Sequence, residues 1–154
     1  MVFDGVDDYL VASSANIGAT MSFFLVGVEK TVGGIDPFFG DDVRFYNSHA
    51  TVASGNSLFY AGTVANVWGD NGGAVQNLYS GLLSGGNGEG WRNGVQKMTS
   101  TAIGSDTITD LMLGWDTTIN YGEINLQEFI IYPSDQSANR RNVETNINNH
   151  YNIY

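Results

Sequence analysis

Residues 122–133 read GEINLQEFIIYP, and residues 134–154 read SDQSANRRNVETNINNHYNIY. The first stretch crowds isoleucine, phenylalanine and tyrosine into a β-prone run, and Pro133 stops it because proline brings no amide hydrogen to a ladder. In the second stretch the apolar period lengthens. Val143, Ile147 and Tyr151 stand at i, i+4 and i+8, with Tyr154 after them. That spacing predicts one amphipathic helix laid against a sheet. Ser137 is the expected N-cap and Ala138 the first helical residue, with Asn139, Arg140 and Glu144 on the exposed face.

Everything upstream reads as strand and turn. TMSFFLVGVEK (20–30) sets Met21, Phe23 and Leu25 against Ser22, Phe24 and Val26. Both faces are apolar, so this strand is expected to be central and covered on both sides. DDYLVASS (7–14), SLFYAG (57–62), TVANVWGDNGG (63–73) and DTITDLMLGW (106–115) are shorter strands ending in turn residues. FFGDDVRFYNS (38–48) reads as strand, kink, strand. Residues 74–100 hold two strands around the glycine-rich GGNGEG (85–90), followed by a hairpin at Asn93-Gly94. An Asn-Gly pair tolerates the two positive φ angles of a type I′ turn. Eight to twelve short strands, closed by one helix and never alternating with helices, predict an all-β, two-sheet antiparallel sandwich with one C-terminal α-helix.

The chain of 154 residues is long enough for one domain with a real core, spanning 1–154. Its 20 glycines, two prolines and 12% aromatics suit short strands joined by tight turns. The formal net charge is −10. Such a surface repels phosphate, so nucleic acid and anionic membranes are disfavoured partners. There is no cysteine, which removes disulfides, thiolate metal sites and a thiol nucleophile. No apolar run reaches the length of a membrane span, and no secretion signal is recognised at the start. The first apolar residues look like a strand already begun, so the chain is expected to be the C-terminal part of a longer one.

Read in order, FDGVDDYL (3–10), WRNGV (91–95), LMLGW (111–115) and GEINLQEFIIY (122–132) with a helix behind them resemble the laminin-G-like, concanavalin A-like jelly roll. Gly122, Ile124, Glu128, Ile131 and Tyr132 match that family's closing strand, with an insertion between Ile124 and Glu128. The tail resembles the C-terminus of such domains in phage virion proteins and Bacteroidetes surface proteins. The resemblance implies a jelly roll that binds carbohydrate or another surface ligand, in some members with calcium. Fold alone does not assign a ligand.

The opening aspartates Asp4, Asp7 and Asp8 have two readings. Asp4-Gly5 is a turn dipeptide whose carboxylate bonds nearby amides. The same trio could supply part of a Ca2+ site, which needs six to eight oxygens. Sugar rings stack on aromatic faces while Asp, Asn and Arg bond their hydroxyls. On that ground Trp68, Asp70 and Asn71 form one candidate ligand site, Trp115 and Asp116 a second, and Asp41, Asp42 and Arg44 a third. The bland reading buries the tryptophans, Trp91 among them, in the core.

Catalytic motifs are weak. EINLQE (123–128) resembles the E-x-D-x-x-E strand of β-glucanases, but Asn125 stands where that motif has aspartate. No G-x-S-x-G elbow is present, His49 and His150 have no evident partners, and GGNGEG lacks the lysine of a phosphate loop. The sequence reading is therefore a non-catalytic module on a virion surface or outside a cell, recognising a glycan or host-surface ligand. The alternatives are a capsid or tail decoration protein docking on other virion subunits or on its own copies, and, more remotely, a glycoside hydrolase.

Overall fold

A computed structural model describes residues 1–30, 36–41, 44–47, 58–62, 65–67, 74–116 and 120–154. Among the described residues, eleven strands and one helix run in chain order: β1 (Leu10–Ala12), β2 (Met21–Glu29), β3 (Pro37–Asp41), β4 (Arg44–Asn47), β5 (Leu58–Ala61), β6 (Ala65–Val67), β7 (Asn77–Ser84), β8 (Asn87–Arg92), β9 (Val95–Ala102), β10 (Leu111–Leu113), β11 (Ile124–Tyr132) and α1 (Arg140–Tyr151). One sheet has the order β1-β10-β3-β4-β5-β6 and the other β11-β2-β7-β8-β9. Every pairing is antiparallel. No helix among the described residues is long and apolar enough to cross a membrane.

Strand β2 shows why the layers stack as they do. Side chains alternate across a strand, so Phe23 and Leu25 enter the core between the sheets, with Phe38, Phe39, Phe59, Tyr79 and Leu83. Phe24 and Val26 point the other way and meet Leu78 and Ile147 in a second layer under α1. A strand apolar on both faces thus lies between sheet and helix, as its sequence predicts. Burial of Phe23 alone contributes about 2–3 kcal/mol. Gly81 makes room for its ring: a Cβ there would lie 2.2 Å from Phe23 Cε1.

Hairpin chemistry holds β8 and β9 together. Asn93 and Gly94 adopt φ of 50° and 74°, the left-handed pair a type I′ turn requires. The Asn93 side chain works as well: its Oδ1 accepts the Leu78 amide and its Nδ2 donates to Asn77 Oδ1, both at 2.9 Å. GGNGEG (85–90) forms the β7–β8 turn and the start of β8.

Two expectations about the helix need correction. The helix begins at Arg140, with Asn139 as N-cap and no side-chain cap bond. Ser137 lies upstream because its amide donates to Asp135 Oδ1 at 2.8 Å in a local turn, and Asp135 is held below the usual carboxylate range by bonds from the Ser137 amide and hydroxyl. The face expected to be exposed is also half wrong. Glu144 is 3% exposed, and it accepts a short hydrogen bond from the buried Ser80 hydroxyl of β7. Arg140 bonds the other Glu144 oxygen at 2.5 Å and lies 4.1 Å over the Trp91 ring. A charge paired on both sides can be buried without stranding it, and the pair pins α1 to β7 and β8. Val143, Ile147 and Tyr151 face the sheet as predicted. Asn152 ends the helix in the left-handed region at φ 51°, its amide donating to the Asn148 carbonyl at 2.7 Å, which fits asparagine's tolerance of that conformation.

Candidate functional site

The N-terminal segment reaches one rim of the sandwich by running along β11. The Phe3 amide donates to the Ile124 carbonyl at 2.9 Å, and the Leu126 amide to the Met1 carbonyl at 2.9 Å. Phe3 is buried. The chain then bends at Gly5, whose φ is +80° and where a Cβ would lie 3.1 Å from Glu123 Cβ. Carboxylates build the bend: Asp4 Oδ1 accepts the Val6 amide at 2.9 Å, and Asp8 Oδ2 accepts the Asp4 amide at 3.3 Å. Asp4, Asp7 and Asp8 are exposed, and one carboxylate oxygen from each lies within 4.8 Å of the others. This spacing could hold one divalent cation, with the trio supplying three of the six to eight oxygens calcium takes.

Leaving the bend, the chain enters β1, and register decides what gathers there. Leu10 faces Leu113 across the β1–β10 pair, so Tyr9 and Trp115, just beyond, come together. Their rings lie 4.8 Å apart at 44°. Trp115 bridges to Tyr121 across a short loop, and these two rings stack with centroids 5.9 Å apart and planes at 9°. Tyr9 and Tyr121 lie 6.3 Å apart. Phe3 packs against Gly114, the neighbour of Trp115: Gly114, at φ +81°, leaves its ring the space where a Cβ would lie 2.5 Å from Phe3 Cδ1. Tyr9 is 45% exposed, while Trp115 and Tyr121 are half-buried. The Trp115 Nε1–H is buried with no acceptor, a group that ordinarily costs about 1–3 kcal/mol.

Asp116 stands next to this cluster and is buried. Its Oδ2 accepts Asn120 Nδ2 at 2.5 Å and its Oδ1 accepts the Asn120 amide at 3.3 Å. Asp116 therefore holds Asn120, the residue before Tyr121. The acidic bend and the aromatic rings lie near one another: Asp8 precedes Tyr9, and Gly5 packs on Glu123, two residues beyond Tyr121. This edge offers the exposed Tyr9 ring beside the carboxylates of the bend.

The other predicted residues are placed elsewhere or lie outside the description. Asp41, buried at the end of β3, accepts the Thr109 amide at 3.0 Å and lines a groove of 270 Å³ with Thr109, Asp110 and Met112. Arg44 belongs to β4. Asp42, Trp68, Asp70, Asn71 and His49 lie outside the described residues. Trp91 is buried, but beneath Arg140 of the helix and not between the sheets. Glu123 and Glu128 line no common pocket among the described residues. Glu123 sits beside Gly5, its amide donating to Asp36 Oδ1 at 2.8 Å, while Glu128 lines a groove beneath α1. Tyr9 and Tyr121 were not singled out from the sequence. They flank stretches that were, and the signal that finds them is the β1–β10 pairing.

No protein-family profile matches the chain, and no curated protein matches it in sequence. Solved structures do. CG-16, a homodimeric agglutinin from chicken liver, superposes with a TM-score of 0.54 at 9% identity, over 81% of this chain and 100% of that one. Domain 4 of AbnA, a GH43 extracellular arabinanase from Geobacillus stearothermophilus, in complex with arabinotriose, matches with a TM-score of 0.55 at 15% identity, over 86% of this chain and 75% of that one. Trypanosoma rangeli sialidase in complex with 2,3-difluoro-KDN matches with a TM-score of 0.57 at 11% identity; the match covers 88% of this chain but only 25% of the sialidase. At such identities the likeness concerns fold. With the two antiparallel sheets and the closing helix, it makes the chain a jelly-roll sandwich of the concanavalin A-like kind.

Proposed function

We propose that the chain is a non-catalytic carbohydrate-binding module and that its ligand lies against Tyr9, Trp115 and Tyr121. The stacked Trp115–Tyr121 pair beside the exposed Tyr9 ring carries this reading. A pyranose presents an apolar C–H face to an exposed ring such as Tyr9 and its hydroxyls to the nearby acidic residues. Asp4, Asp7 and Asp8 supply acceptors at the same rim, and calcium held by the trio could add hydroxyl ligands there. The agglutinin and the arabinanase domain that share the fold support the ligand class by analogy. The separate settings of Glu123 and Glu128 weigh against a glucanase-like carboxylate pair, which needs about 5 Å between its members in a retaining enzyme. On a virion or cell surface, copy number would multiply a weak affinity.

A glycan array probed with the wild-type chain and with Trp115→Ala tests the proposal. Binding by the wild type that is lost in the variant is the expected result. An array blank for both proteins, with and without calcium, would overturn it.

One observation favours a second reading, in which the module docks on other subunits of a particle. Met1, Val2, Val6, Leu10 and Val11 are all exposed, and β1 lies at the end of its sheet. An apolar edge strand is a natural place for another chain to add. Light scattering over a range of concentrations distinguishes a self-associating module from a monomeric one.

A further inference from the structure

Strand β11 carries a bulge between Leu126 and Glu128. Leu126 pairs with Gly27 and Glu128 with Val26, so the register slips at Gln127. A bulge re-aims the side chain that follows it. Leu126 remains in the core between the sheets, while Val26, opposite Glu128, belongs to the layer under α1. Glu128 therefore opens on the helix side, into a groove of 480 Å³ lined also by Asn146, Ile147, Asn149, His150 and Tyr151.

The groove has a negative character built from several parts. Glu128 has no ion-pair partner among the described residues, and no lysine or arginine lines the groove. Its charge acts locally: burial, then the Glu128 charge and a hydrogen bond to it, push the Tyr151 phenol above its ordinary range. Helix α1 ends at Tyr151, and a helix C-terminus carries roughly half a negative charge. The chain's net charge of −10 adds to the field. His150 is the single basic residue of the last turn. A carboxylate offers several acceptor sites, and two asparagine amides offer both donors and acceptors.

We propose that this groove binds the protonated amine of an amino sugar. Glu128, positioned by Tyr151, takes the ammonium, and Asn146 and Asn149 bond the ring hydroxyls. The site is on a different element from the Trp115 cluster and does not depend on it.

Amide chemical shifts of the full chain, followed during titration with glucosamine and with N-acetylglucosamine, test the assignment. Glucosamine should move the amides of residues 146–151 saturably, and the uncharged N-acetyl form should bind at least tenfold more weakly. Glu128→Gln should erase that preference, while Trp115→Ala should leave it intact, so failure here is separable from failure of the rim site. Equal shifts with both sugars would overturn the proposal. So would glucosamine binding retained in Glu128→Gln, or Nα-acetyl-lysine amide binding as tightly as glucosamine.

Discussion

Ser80 of β7 and Glu144 of α1, 64 residues apart in the chain, meet in a buried hydrogen bond. Arg140, one helical turn before Glu144, completes the pairing from the other side. Breaking a buried pair strands the remaining charge. Glu144→Ala should lower unfolding stability by about 3 kcal/mol in urea titration, because Arg140 and Ser80 both lose a partner. Replacing Glu144 and Arg140 together with leucine and methionine should recover most of that loss. A Glu144→Ala protein as stable as wild type would show that the helix is held by its apolar face alone.

At the rim, the rings rather than the carboxylates should dominate affinity. Trp115→Ala should weaken binding of a recognised glycan at least tenfold, about 1.4 kcal/mol. Tyr9→Ala should do less, since Tyr9 supplies only the outer ring of the cluster. Asp116→Ala should act indirectly, by releasing Asn120, the residue before Tyr121. Isothermal titration against the best array ligand ranks the three. Full affinity in Trp115→Ala would move the site elsewhere.

The opening aspartates are expected to serve the bend first. Removing the Asp4 carboxylate leaves the Val6 amide without its acceptor and should cost about 1 kcal/mol in EDTA. Asp7 tests the metal role, because neither bend bond described above uses it. If calcium raises the melting temperature of the wild type and Asp7→Ala abolishes the rise, the trio holds a cation. A site filled at a hundred times its dissociation constant adds about 2.7 kcal/mol.

Alkaline pH should loosen the helix before the sandwich. The Tyr151 phenol titrates above its ordinary value of 10.0, chiefly through burial and then through Glu128. Tyr154 is raised too, by burial first and then by the Glu144 charge. A group whose folded value is raised stabilises fully below its unfolded value and loses that contribution as pH rises through the folded one. Stability should therefore hold up to the tyrosine range and fall above it, and Tyr151→Phe should flatten part of the decline. Asp135 acts in the opposite sense. Its value is lowered by bonds from Ser137, so its contribution is present above the ordinary carboxylate range and lost as the solution is acidified. Denaturant midpoints measured across both limits check the two signs; a Tyr151→Phe profile identical to wild type would remove the phenol from the account.

Local pattern carried much of the architecture. The doubly apolar run at 20–30 could only be a strand covered on both faces, since period-two alternation leaves no polar side to expose. Asn93-Gly94 could only be a tight turn, since few other pairs tolerate two positive φ angles. The switch from strand to helix after Pro133 was equally legible, because proline and the i, i+4 apolar spacing are properties of the chain alone. Helix details were not. Ser137 looks like a cap from its type, yet Asp135 captures its amide, and Glu144 looks solvent-exposed until Ser80 is known to wait beneath it.

The functional rim depended still more on tertiary structure. Trp115 could be suspected from its neighbours, but Tyr9 joins it only because the β1–β10 register sets Leu10 against Leu113. The run GEINLQEFIIY was legible as a strand, and only its pairing with β2 showed the bulge after Leu126, with Glu128 on the helix side. Periodicity is written in neighbouring residues, so the sequence determined the strands, the turn and the closing helix. Which distant side chains share a surface depends on register and layer packing, contacts between residues far apart in the chain, as Tyr9 and Trp115 are, and those were decided by the folded molecule.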